Sequence, residues 1–401
     1  MEVRALRDDE REECLALWRT VWPGDNDAYF RRYFEGDVEW LPYYTQVAVE
    51  AGHIVSAVHI CKRTVACGEF RLQMGGIANV ATLPDYRGKG LNSACLQAAI
   101  GIMEADAIDF SLLFTGINGY YAKQGFSTVS RTRARGAIKA DIALDPRGPT
   151  VRPARPEDRD ALFAVYAEYN HDRPIAVQRS PAYWRDWIGM TPARLDAADP
   201  PLVAVDAAGR IVGYIIYQVN FYQGHQITED YAYVSELGIG KSTEIATALL
   251  AAVAARALAS GKRELHVSIA LDAPVRIALA RVCEATGDNV TLSGMARLLS
   301  RTGLLRSFLM EWNERWLEAG RPAGAVSFDT PYGAVELNAS GRFLEVAEAD
   351  AIAATLPQSA LLGLILGTLP SGQASTEPDR APLLAALFPP QDGVYWSADG
   401  F

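Results

Sequence analysis

Apolar and polar positions alternate with two different periods along the chain, and the order of these blocks repeats. A short strand-like start with an acidic helix cap, Val3–Arg11, leads to apolar residues at helical spacing: Cys14, Leu15 and Trp18. The same succession returns at Val151–Arg159, followed by Leu162, Val165 and Tyr166. Val47–Val55 reads as apolar strand, Gly-containing turn, apolar strand, and Val203–Val212 repeats that hairpin with one inserted residue. A third echo pairs Ile77–Thr82, a Gly-rich loop, an Ala-rich helix from Asn92 and a strand at Phe110–Phe114 with Tyr233–Leu237, a Gly-containing loop, a helix from Thr243 and a strand at Leu265–Ile269. Strand, helix, hairpin, strand, helix, strand predicts a mixed α/β domain, present twice.

The remainder reads differently. Arg297–Leu317 is a long amphipathic stretch, followed by short strands at Ala325–Phe328, Ala334–Leu337 and Phe343–Val346 with turn residues between them. Helical runs are predicted at Asp350–Thr355, Pro357–Leu366 and Ala381–Leu387, with an exposed loop at Ser371–Pro378. Helices on an antiparallel sheet make an α+β domain. The expected division is 1–145, 146–290 and 291–401, and the fold class is α/β plus α+β.

The length of 401 residues suits two or three domains, and 49% hydrophobic residues supply their cores. A net charge of −10 repels polyphosphate, so nucleic acid is not expected as a partner, while cationic small molecules are attracted. The five cysteines form no CxxC pair and the five histidines no HxxxH or HxH, so neither a disulfide framework nor a metal site is signalled. The N-terminus lacks an apolar run behind a basic start, and no segment approaches the ~18 apolar residues of a membrane span. A soluble, cytoplasmic protein is expected.

The most informative stretch is Val80–Ser93. A strand ends, Pro84 fixes a turn, Arg87-Gly88-Lys89-Gly90 follows, and a helix begins. Backbone N–H groups at a helix start form an anion site, and Gly88 and Gly90 let the backbone come close to a phosphate. An isolated Arg-Gly-Lys-Gly reads more readily as a Gly-capped surface loop, but its context changes that. The later Gly240-Lys241-Ser242 also lies between a strand and a helix; Ser235 stands where a P-loop needs its first Gly, and no acidic Walker-B strand is apparent, so a nucleotide site is not expected there.

Arg87 to Asn92 reads R-x-x-G-x-N, which resembles the pyrophosphate loop Q/R-x-x-G-x-G/A of the GNAT acetyltransferase superfamily, and Tyr121–Phe126 resembles its Y-x-x-x-G-F signature. Asn92 departs from the small final residue of the loop. The resemblance implies acetyl-CoA as co-substrate. Its pantetheine arm would pair with the backbone of Val80, Ala81 and Thr82, its pyrophosphate would sit on Arg87, Gly88, Lys89, Gly90, Leu91, Asn92 and Ser93, and Tyr121 would be the general acid. A packed core tyrosine is the plain alternative for Tyr121, and Tyr120 competes for the role.

Two GNAT-like repeats, the second without a cofactor loop, and a small α+β domain resemble the enhanced intracellular survival (Eis) type of N-acetyltransferase, whose third domain is similar to sterol carrier protein. Val234–Leu237 resembles a segment of that family's middle domain. Many GNAT enzymes carry a glutamate base on the strand before the loop, but Gly75–Thr82 has no carboxylate or histidine. In the Eis type the base is the C-terminal carboxylate, which implies Phe401 here. Tyr395 and Trp396 argue for a docked tail, against the disorder common at termini.

The resemblance further implies a primary amine substrate (an aminoglycoside, polyamine or lysine side chain), no metal, and a homo-oligomer such as a hexamer. Asp25, Asp27 and Asp399 are the acids expected to receive the cation. Glu35, Asp37 and Glu39 lie near the first two among the aromatics Trp22, Tyr29, Phe30, Phe34 and Trp40, and a solvated helix face explains most of these charges as well. The alternative reading is an acyl-CoA or lipid-binding protein without turnover.

Overall fold

The computed structural model describes residues 2–23, 27–191, 199–219, 222–223, 226–227, 230–349, 355–375, 377 and 379–401. In chain order the first part comprises β1 (Glu2–Ala5), α1 (Arg11–Val21), α2 (Asp27–Glu35), β2 (Thr45–Glu50), β3 (His53–Cys67), β4 (Phe70–Thr82), α3 (Leu91–Ala105), β5 (Phe110–Phe114), α4 (Asn118–Ala122) and β6 (Ser127–Ile138). The second comprises β7 (Thr150–Pro153), α5 (Arg159–Tyr169), α6 (Pro181–Asp186), β8 (Leu202–Val205), β9 (Ile211–Gln218), the ribbon β10 (Tyr222–Gln223) and β11 (Gln226–Ile227), β12 (Tyr231–Gly238), α7 (Thr243–Ala259), β13 (Glu264–Val267), α8 (Ala273–Val282) and β14 (Cys283–Leu298). The last comprises α9 (Gly303–Ser307), α10 (Leu309–Glu318), β15 (Ala325–Phe328), β16 (Val335–Asn338), β17 (Glu345–Glu348), α11 (Gln358–Ile365), α12 (Ser371–Ala374) and α13 (Ala381–Leu387).

Packing groups these elements into two compact units, one of residues 1–131, 292–391 and 401, the other of 132–291 and 392–400. The segments expected as first and third domains therefore share a unit. Gln358 at the start of α11 shows how: its amide donates to the Gly125 carbonyl at 3.0 Å and to Ser127 Oγ at 2.9 Å, and its Oε1 accepts from the Leu298 N–H at 2.9 Å.

In the first unit β1, β2, β3 and β4 are antiparallel neighbours, β5 joins β4 in parallel, and Gly294–Leu298 of β14 pairs antiparallel with β5. Helix α3 buries Leu91, Cys95, Leu96, Ala99, Ile100 and Met103, a stripe at helical spacing that covers this sheet. A separate antiparallel sheet runs β15-β16-β17, and α10 buries Trp312 and Trp316 one turn apart. In the second unit β7, β8, β9 and β12 are antiparallel neighbours, β13 joins β12 in parallel, and β6 pairs antiparallel with β13.

The sequence echoes have atomic counterparts. Arg4 makes a two-pronged hydrogen bond to Glu10 at 2.8 and 2.6 Å, and Arg152 makes one to Asp158 at 2.5 and 2.9 Å. The same carboxylates accept the Arg7 and Arg155 backbone N–H groups, so each stitches a strand to the start of its helix.

Two local expectations need correction, and a third lies almost wholly outside the described residues. The amphipathic stretch Arg297–Leu317 is not one element: Arg297 and Leu298 pair with Ser111 and Phe110 of β5, and α9 and α10 lie in the rest. Apolar residues such as Leu298 fit a strand as well as a helix, and the edge of β5 decided. Ser371–Ala374 of the expected loop is a short helix. The helix expected over Asp350–Thr355 falls outside the described residues except for Thr355.

Candidate active site

The site begins where two parallel strands part. β4 and β5 pair only at Met74–Gly76 with Phe110–Leu112. Beyond Gly76, β4 stays paired with β3 alone among the described residues, and its register shifts around Asn79, whose φ is +48°. The β5-facing edge of Ile77–Thr82 is left able to take an extended ligand by strand addition.

The loop after β4 fits an anion. Gly88 and Gly90 have φ of +75° and +76°, which glycine adopts at little cost. Gly90 is the N-cap of α3, and no side chain caps that helix start, so its first N–H groups remain for an outside acceptor. Lys89 Nζ lies 4.5 Å from the Tyr86 ring centre, and Arg87 Nε reaches the Thr82 carbonyl at 3.4 Å. A cavity of about 460 Å³ runs along this surface, and Val80, Thr82, Arg87, Gly88, Gly90, Asn92 and Ser93 are among its lining residues.

Tyr120 and Tyr121 line the same cavity from α4. Gly125 closes that turn with φ +80°, and Phe126 returns its N–H to the Tyr121 carbonyl at 3.2 Å, its ring edge-on to Tyr121. This is why the motif needs Gly and then an aromatic. Tyr121 is buried, and burial, with Tyr120 beside it, pushes its phenol up to about 12, so it keeps its proton at neutral pH. The Tyr120 hydroxyl donates to Asn92 Oδ1 at 2.9 Å and lies 3.2 Å from Ser93 Oγ. Asn92 thus braces the neighbouring tyrosine, a role its place in the loop motif did not reveal.

Phe401 belongs to the first unit. Its ring packs on Gly76, the last β4 residue paired with β5, and against Phe114 at the end of β5 with ring centres 5.8 Å apart. The final residue of the chain therefore sits where the strands separate.

The acids expected to receive the amine are differently placed. Asp27 is bonded to Arg19 at 2.7 Å and to Arg31. Asp25 lies outside the described residues. Asp37 is buried, with Arg63 Nη1 2.9 Å from both its carboxylate oxygens. His59, within 4.8 Å of Asp37 and Cys61 by ligand-type atoms, is fully buried, bonded to Thr45 Oγ1 at 2.8 Å, and edge-on to Trp18, Tyr33 and Phe34. Burial, reinforced by Arg63, lowers its pKa to about 3.

Asp399 is fully buried in the second unit, both oxygens accepting from Arg179 at 2.9 Å, so it faces no incoming cation. The second unit also differs at its loop. Its parallel strands part after Val234 and Val267, but Ser242 caps α7 by accepting the Ile245 N–H. The cap position left open at α3 is here taken by the protein's own hydroxyl.

The parted parallel strands, the uncapped helix start and the buried tyrosine lie along one cavity. Residues 2–129 match the acetyltransferase (GNAT) domain family. The protein is an N-acetyltransferase, and GNAT domains take acyl-CoA as co-substrate. No curated protein matches the sequence. Among solved structures, a probable N-acyltransferase from Enterococcus faecalis aligns over 100% of this chain and 99% of its own, at 18% identity and a TM-score of 0.72. A GCN5-related N-acetyltransferase from Kribbella flavida covers 100% of this chain and 98% of its own at 20% identity and TM-score 0.68. Eis1 from Mycobacterium abscessus covers 100% of both chains at 15% identity and TM-score 0.66. At these identities the likeness is one of fold. Among the described residues no helix is long and apolar enough to cross a membrane.

Proposed function

We propose that the protein is an Eis-type N-acetyltransferase that moves acetyl from acetyl-CoA directly to a primary amine. The observation that carries this reading is the Phe401 ring seated on Gly76 and Phe114, at the parting of β4 and β5. It supports the Phe401 carboxylate as the base in a unit whose β4 carries no carboxylate or histidine.

The residues divide the chemistry as follows. The free edge of β4 at Val80, Ala81 and Thr82 holds the pantetheine arm, and the segment Arg87–Ser93 holds the pyrophosphate. The Phe401 carboxylate takes a proton from the substrate ammonium, and the freed nitrogen attacks the acetyl carbonyl carbon. The N–C bond forms, the C–S bond breaks, the departing sulfur receives the Tyr121 proton, and the second proton that the nitrogen sheds as it becomes the amide restores the phenol by way of solvent. A phenol whose pKa burial has raised stays protonated for this step. The second repeat is read as a GNAT-like scaffold without a cofactor site, which the Ser242 cap supports, and 291–401 as the sterol-carrier-like part.

Thiol release from acetyl-CoA, measured against a panel of polyamines and aminoglycosides, tests the reading. Amine-dependent release that disappears when the chain ends at Gly400 is expected. Release that is indifferent to that deletion rejects Phe401 as the base.

A further inference from the structure

The turn that carries Tyr121 is gripped by two buried side chains from the 292–391 segment, Arg297 and Gln358, and all these residues lie in the first unit. α4 has five residues, too few for a helix to be stable by itself. The N–H groups of the turn after it are satisfied locally: Gln124 and Phe126 donate to the Tyr121 carbonyl at 2.9 and 3.2 Å, and Gly125 donates to the Ala122 carbonyl at 3.1 Å. Two of its carbonyls are taken from a distance. Arg297 Nη1 of β14 donates to the Gln124 carbonyl at 3.2 Å, and Gln358 Nε2 of α11 donates to the Gly125 carbonyl at 3.0 Å and to Ser127 Oγ at 2.9 Å.

Each gripping side chain is itself fixed. Gln358 Oε1 accepts the Leu298 N–H at 2.9 Å, so its amide cannot swing away without losing a buried bond. Arg297 Nη2 donates to the Tyr332 hydroxyl at 3.1 Å and lies 3.6 Å from Glu104 in the last turn of α3, and Tyr332 donates its own hydroxyl to Glu104. Gly125 makes room for this arrangement, because a Cβ built there would overlap the Arg297 guanidinium. A buried guanidinium and a buried amide cost more than apolar side chains of their size unless their hydrogen bonds are made. Here those bonds converge on the two residues that close the turn behind Tyr121.

We propose that Arg297 and Gln358 are positioning residues for acetyl transfer: by clamping the Gln124 and Gly125 carbonyls they fix the turn from which the Tyr121 hydroxyl reaches the departing sulfur. The inference rests on Tyr121 being the acid. An error of about 1 Å in the place of a reacting group costs on the order of 100-fold in rate.

The test is a mutant cycle on the full chain, with acetyl-CoA and either spermidine or kanamycin as the amine, and CoA affinity measured alongside. Gln358→Met keeps the length of the side chain and removes its three hydrogen bonds. It is expected to lower kcat by about 10- to 100-fold, with KM for acetyl-CoA and CoA affinity unchanged. Arg297→Lys keeps the charge beside Glu104 but loses the fork, and serves as the second variant should Gln358→Met not fold; it is expected to lower kcat by a smaller factor, and Arg297→Met by a larger one. In a Tyr121→Phe background neither Gln358→Met nor Arg297→Lys is expected to cause a further loss, because the group they position is gone. If Tyr121→Phe lowers kcat but the other substitutions do not, if their losses multiply with it, or if they weaken CoA binding by as much as they slow turnover, the positioning role is rejected while the acid assignment stands. If Tyr121→Phe leaves kcat unchanged, the acid assignment itself falls, and the inference with it.

Discussion

The Phe401 ring occupies the space in which a side chain on Gly76 would begin: a Cβ built there lies 2.3 Å from Phe401 Cζ. Gly76→Ala is therefore expected to expel the terminal ring while leaving the loop of Arg87–Ser93 intact. Steady-state kinetics should show kcat reduced by about 100-fold with CoA affinity, measured by titration calorimetry, unchanged. Gly75→Ala is the control. Its Cβ meets Met103 Sδ in the core under α3, and overpacking of this kind costs about 1–3 kcal/mol of stability without singling out the tail.

Removing the Tyr121 hydroxyl leaves the buried ring and takes away the proton donor proposed above. Tyr121→Phe is expected to lower kcat by about 100-fold or more, with KM for acetyl-CoA little changed. Because burial holds this phenol near about 12, the wild-type rate should not fall between pH 9 and about 10.5, where an unshifted phenol would lose its proton. A pH–kcat profile on both proteins checks this.

Gly90 has φ +76° and an open surrounding, so an alanine there meets no clash but must adopt a left-handed conformation. That costs about 1 kcal/mol or more, and if the loop relaxes to avoid it, the N–H groups turn from the ligand. Gly90→Ala should weaken CoA binding by about 5-fold or more, read by calorimetry. The same titration of the wild type should give one CoA per chain, because Ser242 fills the corresponding helix start of the second unit.

His59 gives the acid side of the stability profile. Its folded-state pKa of about 3 lies below the ordinary value near 6.5, so the unfolded chain takes up a proton there first. Its contribution is complete above about pH 6.5 and is lost as pH falls towards 3, at up to about 1.4 kcal/mol per pH unit. Urea denaturation at pH 7, 6 and 5 should show this slope, and His59→Phe should flatten it.

Much of the first domain was legible because its signals are local. The helix α3 stripe from Leu91 to Met103, the glycines at 88 and 90 and the Tyr121–Phe126 turn each act over a few residues, and backbone sterics make the residue type informative. The acids were not legible. Asp37 and Asp399 look alike in a string of letters, yet Arg63 and Arg179 engage them from other parts of the chain.

By itself, then, the sequence determined the order of strands and helices, the glycine turn before α3, the tyrosine pair of α4 and the lack of a carboxylate or histidine on β4. Those features follow from periodicity, glycine stereochemistry and the inventory of side chains. Tertiary structure alone decided that Phe401 packs on Gly76, that Asn92 braces Tyr120, and that Asp399 is paired with Arg179. Each of these depends on which distant surfaces are buried together, and desolvation and ion pairing act on that three-dimensional neighbourhood, which no local pattern records.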